Sequence, residues 1–151
     1  MYSKEEKKQL VRNFWAGFDL YCSRMPFLQG KRKRWLLHRT KVNNVHLKFE
    51  PSRDGVKVIL ELLHRDENKR LEFYERIEQY KIILEQGFED GLIWDFAYER
   101  ESGQIVCRIY VELKGVDLHR QSQWEEMYGY MAENMNRLEN NFLEIRDLIR
   151  D

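Results

Sequence analysis

Cysteine is scarce in this chain. The two present, Cys22 and Cys107, are 85 residues apart and both fall in stretches that read as apolar faces. They are expected as reduced core residues rather than as a disulfide. Proline is equally rare, with two residues, and no segment is repetitive or of low complexity. Long hydrophobic runs are missing altogether: the longest are triplets such as Val58-Ile59-Leu60, against the roughly 20 apolar residues a spanning helix needs. That excludes a membrane span. The N-terminal Met1-Tyr2-Ser3-Lys4-Glu5-Glu6-Lys7-Lys8 has no apolar stretch behind it, so neither a secretory signal nor a lipid anchor is expected, and the expected location is cytoplasmic.

Chemical signatures are missing too. The four histidines, His38, His46, His64 and His119, show no metal-ligand spacing, no glycine-rich phosphate loop occurs, and no serine sits in a nucleophile elbow. Zinc, kinase and classical hydrolase chemistry therefore have no support, and no metal or cofactor is implied.

Acidic residues are absent from one long stretch. Net charge is zero, but residues 20–49 hold eight basic groups and no Asp or Glu, so residues 1–19, 20–49 and 50–151 carry +1, +8 and −9. Within the basic stretch, Lys31-Arg32-Lys33-Arg34 followed by Trp35 could neutralise phosphates and stack a base, which makes it the candidate nucleic-acid segment. A solvated loop, or one folded against the acidic remainder, explains the same run.

What is present reads as one 151-residue domain with 20 aromatics, enough to bury a sizeable core. Ser3-Lys4-Glu5-Glu6 is a capping box opening a helix whose stripe is Val11, Phe14, Phe18, Tyr21 or Cys22, and Met25, ending before Pro26. Three strands follow. The first lies around Trp35 to Arg39 and turns near Asn43-Asn44. Between the next two, Asp54-Gly55 suits a two-residue type I′ turn, which would pair Arg53 with Val56, Leu47 with Leu62, Phe49 with Leu60 and Lys48 with Glu61.

Asp66 can cap a second helix with Leu71 or Phe73, Tyr74, Ile77, Tyr80 or Lys81, and Leu84 as its stripe; Gly87 stops it, and Glu75, Glu78 and Glu85 would face water. Ser102-Gly103 then signals a second hairpin, pairing Leu92 with Leu113, Trp94 with Val111, Phe96 with Ile109 and Tyr98 with Cys107 on an apolar inner face. Ser122-Gln123-Trp124-Glu125 reads as another capping box, opening a C-terminal helix about 42 Å long. Its residues Trp124, Tyr128, Met131, Met135, Leu138, Phe142, Ile145 and Ile149 keep a 4-3-4-3 spacing, which either covers the sheet or pairs two helices across a homodimer. The expected fold is α+β, a mostly antiparallel sheet of about five strands with three helices in the order α-β-β-β-α-β-β-α.

Two carboxylate groupings could support metal-dependent hydrolysis. The predicted second hairpin places Asp95, Glu112 and Lys114 on one outer face, where two carboxylates could hold Mg²⁺ beside a lysine; a solvated sheet face looks the same. The other is Glu61, with Asp54 as partner, at the head of Glu61-Leu62-Leu63-His64-Arg65-Asp66. The element order and the apolar Val58-Ile59-Leu60-Glu61 resemble the core of restriction-endonuclease-like nucleases, which implies a metal-dependent nuclease. The chain departs from that pattern by having Glu61-Leu62-Leu63 where Glu-x-Lys belongs, which implies a degenerate site. Otherwise His64 and Arg65 support the strand end and Asp66 caps the helix.

From Met1-Tyr2-Ser3-Lys4-Glu5-Glu6 through Phe14-Trp15, Glu61 to Asp66, and Arg108-Ile109-Tyr110 to Glu112-Leu113-Lys114-Gly115, the chain resembles a bacterial family of about 140 residues classed as a domain of unknown function. That resemblance implies no activity and no catalytic residues. Relatives that stand alone or attached to nuclease-like proteins imply a nucleic-acid-linked role. The reading is a binding or assembly domain without catalysis, with homodimerisation through the C-terminal helix as one form of assembly.

Overall fold

The computed structural model describes residues 2–28 and 40–150. Helix α1 spans Lys4–Ser23, and its start is the predicted capping box: the Glu6 amide donates to Ser3 Oγ at 3.2 Å and the Ser3 amide to Glu6 Oε1 at 3.4 Å. Strands β1 (Val45–Pro51) and β2 (Gly55–Leu62) follow, then α2 (Glu67–Glu78), capped by Asp66 through the Asn68 amide at 2.9 Å. A short α3 (Lys81–Leu84), strands β3 (Ile93–Glu99) and β4 (Ile105–Lys114), and α4 (Trp124–Ile149) complete the order.

The four described strands form one antiparallel sheet in the order β1-β2-β4-β3. The strand expected at Trp35–Arg39 lies outside the described residues. The expected second helix is two pieces, because Tyr80 leaves the helical region at φ −107°, ψ 26° without a glycine or proline to announce it.

Both hairpin registers differ from the sequence expectation, with different consequences. In the first, the turn centres on Arg53-Asp54, with the Ser52 amide donating to the Gly55 carbonyl at 2.8 Å and the Asp54 amide to Ser52 Oγ at 3.2 Å. Neither Asp54 nor Gly55 has the positive φ that a type I′ turn requires. Gly55 is glycine for another reason: a Cβ there would collide with the Leu113 carbonyl of β4. Pairing therefore shifts by two residues, to Leu47 with Leu60 and Phe49 with Val58, and an even shift keeps every side chain on its face.

In the second hairpin, Gly103 takes φ +90° and the Arg100 amide donates to the Gln104 carbonyl at 2.9 Å, closing a three-residue loop instead of a two-residue one. A bulge between Asp95 and Tyr98 adds a one-residue slip. Trp94 stays on the inner face opposite Ile109, but Tyr98 pairs with Val106 and moves to the outer face, and Phe96 is 59% exposed rather than internal. Cys107, the partner expected for Tyr98, stays buried and donates its S–H to the Phe96 carbonyl at 3.2 Å.

The helices pack on the inner face. Phe14, Phe18 and Cys22 of α1, Phe73, Tyr74 and Ile77 of α2, and the α4 stripe share one core with Val45, Leu47, Val58, Leu60, Leu62, Cys107 and Ile109. All eight α4 stripe residues are buried inside the chain, so that seam covers the sheet and leaves nothing for a helix pair across a dimer. The helix is 26 residues and about 39 Å long. It starts from a short 3₁₀ turn without the Ser122 cap expected, and Gln123 instead accepts the Asp117 amide at 2.7 Å. Glu85 does not simply face water either: its Oε2 accepts the Leu92 amide at 2.7 Å and Trp94 Nε1 at 3.0 Å, fixing the entry to β3.

Candidate functional site

Strand alternation sends the other half of the sheet's side chains to the outer face. From β1 come Lys48 and Glu50, from β2 Lys57, Ile59 and Glu61, from β4 Val106, Arg108, Tyr110, Glu112 and Lys114, and from β3 Asp95 and Tyr98. Ile59, Glu61, Val106 and Arg108 at its centre are buried, although two of them are charged. A buried charge persists only when it is paired, and here the pairing is complete.

Glu61 and Arg108 stand directly opposite in the β2–β4 ladder, and Arg108 Nε donates to Glu61 Oε2 at 2.8 Å. Its two terminal nitrogens grip Glu50, Nη1 to Oε1 at 3.2 Å and Nη2 to Oε2 at 3.0 Å, the bidentate geometry that suits guanidinium to carboxylate. Lys48 Nζ reaches Glu61 Oε1 at 3.7 Å, so two cations meet two carboxylates. The Tyr98 ring lies 3.9 Å from the guanidinium carbon, and Lys57 Nζ sits 5.8 Å from the Tyr98 ring and 5.1 Å from that of Tyr110. The bulge in β3 is what brings Tyr98 there.

These contacts set the ionisation of the cluster. Burial works to raise the Glu50 carboxyl, but the hydrogen bonds and charge of Arg108, with Lys48 and Lys57 behind them, outweigh it and hold the group below its usual range. For Arg108 burial opposes the charged form, and Glu50 and Glu61 together push its pKa above the ordinary guanidinium value. Burial, then Glu112 and Asp95, raise the Tyr110 phenol. Beside the cluster lies a groove of about 770 Å³, lined by Lys48, Glu50, Tyr98, Arg100, Ser102 and Arg108 among others.

The residues singled out from sequence fall as follows. Glu61 is at the centre of the network, while Asp54 is in the β1–β2 turn, seven positions and about 23 Å away along the strand. Asp95, Glu112 and Lys114 do share the outer face, but Asp95 pairs with Arg108 rather than Tyr110, and Glu112 pairs with Lys57. That separates Asp95 from Glu112 by four positions, about 13 Å along β4. Asp95 Oδ1 accepts the Ala97 amide at 3.0 Å, and Lys114, 80% exposed, lies 3.6 Å from Glu112. Among the described residues no group of three or more His, Cys, Asp or Glu could hold a metal ion. Lys31, Arg32, Lys33, Arg34 and Trp35 lie outside the described residues.

Sequence reasoning missed Arg108, Glu50 and Tyr98. The available signal was an arginine inside the apolar run Ile105–Val111, which reads as solvent-facing until the register sets it against Glu61. The pair joins the first residues of two strings, Glu61–Asp66 and Arg108–Gly115, on which the family resemblance rests. The family model described as Domain of unknown function (DUF4268) matches residues 10–146. The chain belongs to this family. No curated protein and no solved structure matches it. The DUF4268 match takes in all four described strands and most of α1 and α4, so the whole polar network lies inside the family's span. No helix among the described residues is long and apolar enough to cross a membrane.

Proposed function

We propose that the chain is a binding domain without catalysis of its own, with a nucleic-acid-linked role exercised through the outer face of its sheet. The observation that carries this reading is the closure of the polar network around Glu61. The nuclease alternative needs Glu61 as a carboxylate with oxygens to offer an ion. Here Oε2 takes Arg108 at 2.8 Å and Oε1 faces Lys48 at 3.7 Å, so the group serves the sheet. The neighbouring groove supports a binding role, because it sets Lys48, Arg100 and Arg108 beside the Tyr98 ring, against the two carboxylates of Glu50 and Glu101. Rings that stack bases and cations that meet phosphates are how sheet surfaces hold single-stranded nucleic acid. The charge of the chain supports the same ligand, since Lys48 closes a 30-residue stretch with eight basic groups and no acidic one.

The test is binding of the purified protein to fluorescent single- and double-stranded DNA and RNA over a salt series, with Mg²⁺ and product gels alongside. Affinity should fall steeply with salt, and more weakly so in a variant with neutral residues at 31 to 34 and in Arg100→Gln. An absence of binding at low salt ends the nucleic-acid reading, and Mg²⁺-dependent cleavage ends the non-catalytic one.

A further inference from the structure

We infer that a second site, an anion pocket suited to a phosphate group, lies at the end of the sheet where β2 gives way to α2. The pocket measures about 520 Å³ and is lined, among the described residues, by His64, Arg65, Glu67, Arg70, Gln104 and Ile105. None of these lines the outer-face groove, so the site does not rest on the nucleic-acid reading.

The decisive feature is Arg70, a lining residue only 6% exposed. Its Nη1 donates to the His64 carbonyl at 3.0 Å, while its Nε is buried and donates to nothing. Among the described residues no carboxylate forms an ion pair with it. The contrast is with Arg108, equally buried, whose three nitrogens are all engaged by two carboxylates. A guanidinium taken from water without an anion is destabilising, and a bound anion removes that deficit. The neighbouring Cys107 supplies a hydrogen-bond partner but no anion: burial pushes its thiol up to about 11, against the opposing charge and hydrogen bond of Arg70, so it is neutral.

The rest of the lining suits the same ligand. Arg65 is exposed at the rim, and the twelve-residue α2 begins at the pocket with Glu67, its first turn already capped by the Asp66 carboxylate. Glu67 is the one carboxylate of the described lining, against two arginines. Gln104 Oε1 already accepts Arg100 Nη1 at 3.0 Å, which leaves the amide NH₂ to donate. Two guanidinium groups and an amide donor match the several acceptor oxygens and double charge of a phosphate better than a carboxylate.

The probe is inorganic phosphate, titrated at constant ionic strength against chloride and acetate. Wild-type protein should gain on the order of 3 °C in Tm at a tenfold excess over Kd, with no gain from acetate, and the Arg70 Nε–Hε resonance should move as phosphate saturates. Arg65→Gln should weaken the affinity about tenfold and Arg70→Met should abolish the response. If Arg70→Met fails to fold, Arg65→Gln and the Arg70 resonance decide. A response to acetate equal to that of phosphate, an unmoved Arg70 resonance, or a phosphate response undiminished in the variants overturns the site. A 5′-phosphorylated trinucleotide that moves the resonance at lower concentration than its 5′-hydroxyl counterpart supports the site with a nucleic-acid end as its source. A nucleoside monophosphate that does so instead supports it with a free nucleotide.

Discussion

Arg108 and Glu61 face each other across the β2–β4 ladder, joined at 2.8 Å with side chains 3% and 1% exposed. Removing one partner of so buried a pair strands the other. Arg108→Met should destabilise the protein by about 3–5 kcal/mol, and adding Glu61→Leu should return most of that loss. Urea unfolding of the two single variants and the double variant measures both. A loss below about 1 kcal/mol for Arg108→Met would mean the pair is not desolvated in solution.

The same network predicts how stability depends on pH. Glu50 has a lower pKa folded than unfolded, so its contribution is complete above the unfolded value, about 4.3, and is lost as pH falls through the folded one. Urea midpoints should be flat from neutral pH to about 5 and then fall, and Glu50→Gln should be less stable at neutral pH with a shallower acid limb. Parallel profiles for the two proteins would remove Glu50 from the acid response.

Gly17 in α1 offers a test where two effects oppose. Helix propensity alone makes Gly→Ala stabilising by about 1 kcal/mol. Here a Cβ would run into the Tyr128 hydroxyl, which donates to the Phe14 carbonyl at 2.6 Å. Gly17→Ala should therefore destabilise, by about 1–3 kcal/mol. Thermal denaturation decides the sign, and a stabilised variant would show that Tyr128 yields without loss.

With the α4 seam buried in the core, sedimentation at micromolar concentration should give the monomer mass. A species near twice that mass would place pairing on a surface other than the Trp124–Ile149 stripe.

Local rules read correctly where one residue decides the outcome. The Ser3 capping box, the Asp66 cap and the stripes of α1 and α4 each depend on spacing within one or two turns. Register was harder, because Asp54-Gly55 looks like a type I′ turn until the approach of Leu113 gives the glycine another purpose. That slip was harmless to the faces. The β3 bulge was not, since it carried Tyr98 across the sheet onto Arg108. The site was least legible for the same reason: a charged residue in mid-strand reads as surface, and only long-range pairing over 47 residues turns Arg108 and Glu61 into a buried couple.

The bulge also bears on how the protein avoids aggregation. Among the described strands β3 stands at the edge of the sheet, and it exposes Ile93 and Phe96 beside its unpaired backbone. A regular strand of that composition would template the addition of another chain, whereas a break in the ladder between Asp95 and Tyr98 spoils the repeat such an addition needs. Deleting Ala97 would restore a continuous edge, and the expected result is loss to insoluble aggregate during refolding, measured as turbidity against the parent chain.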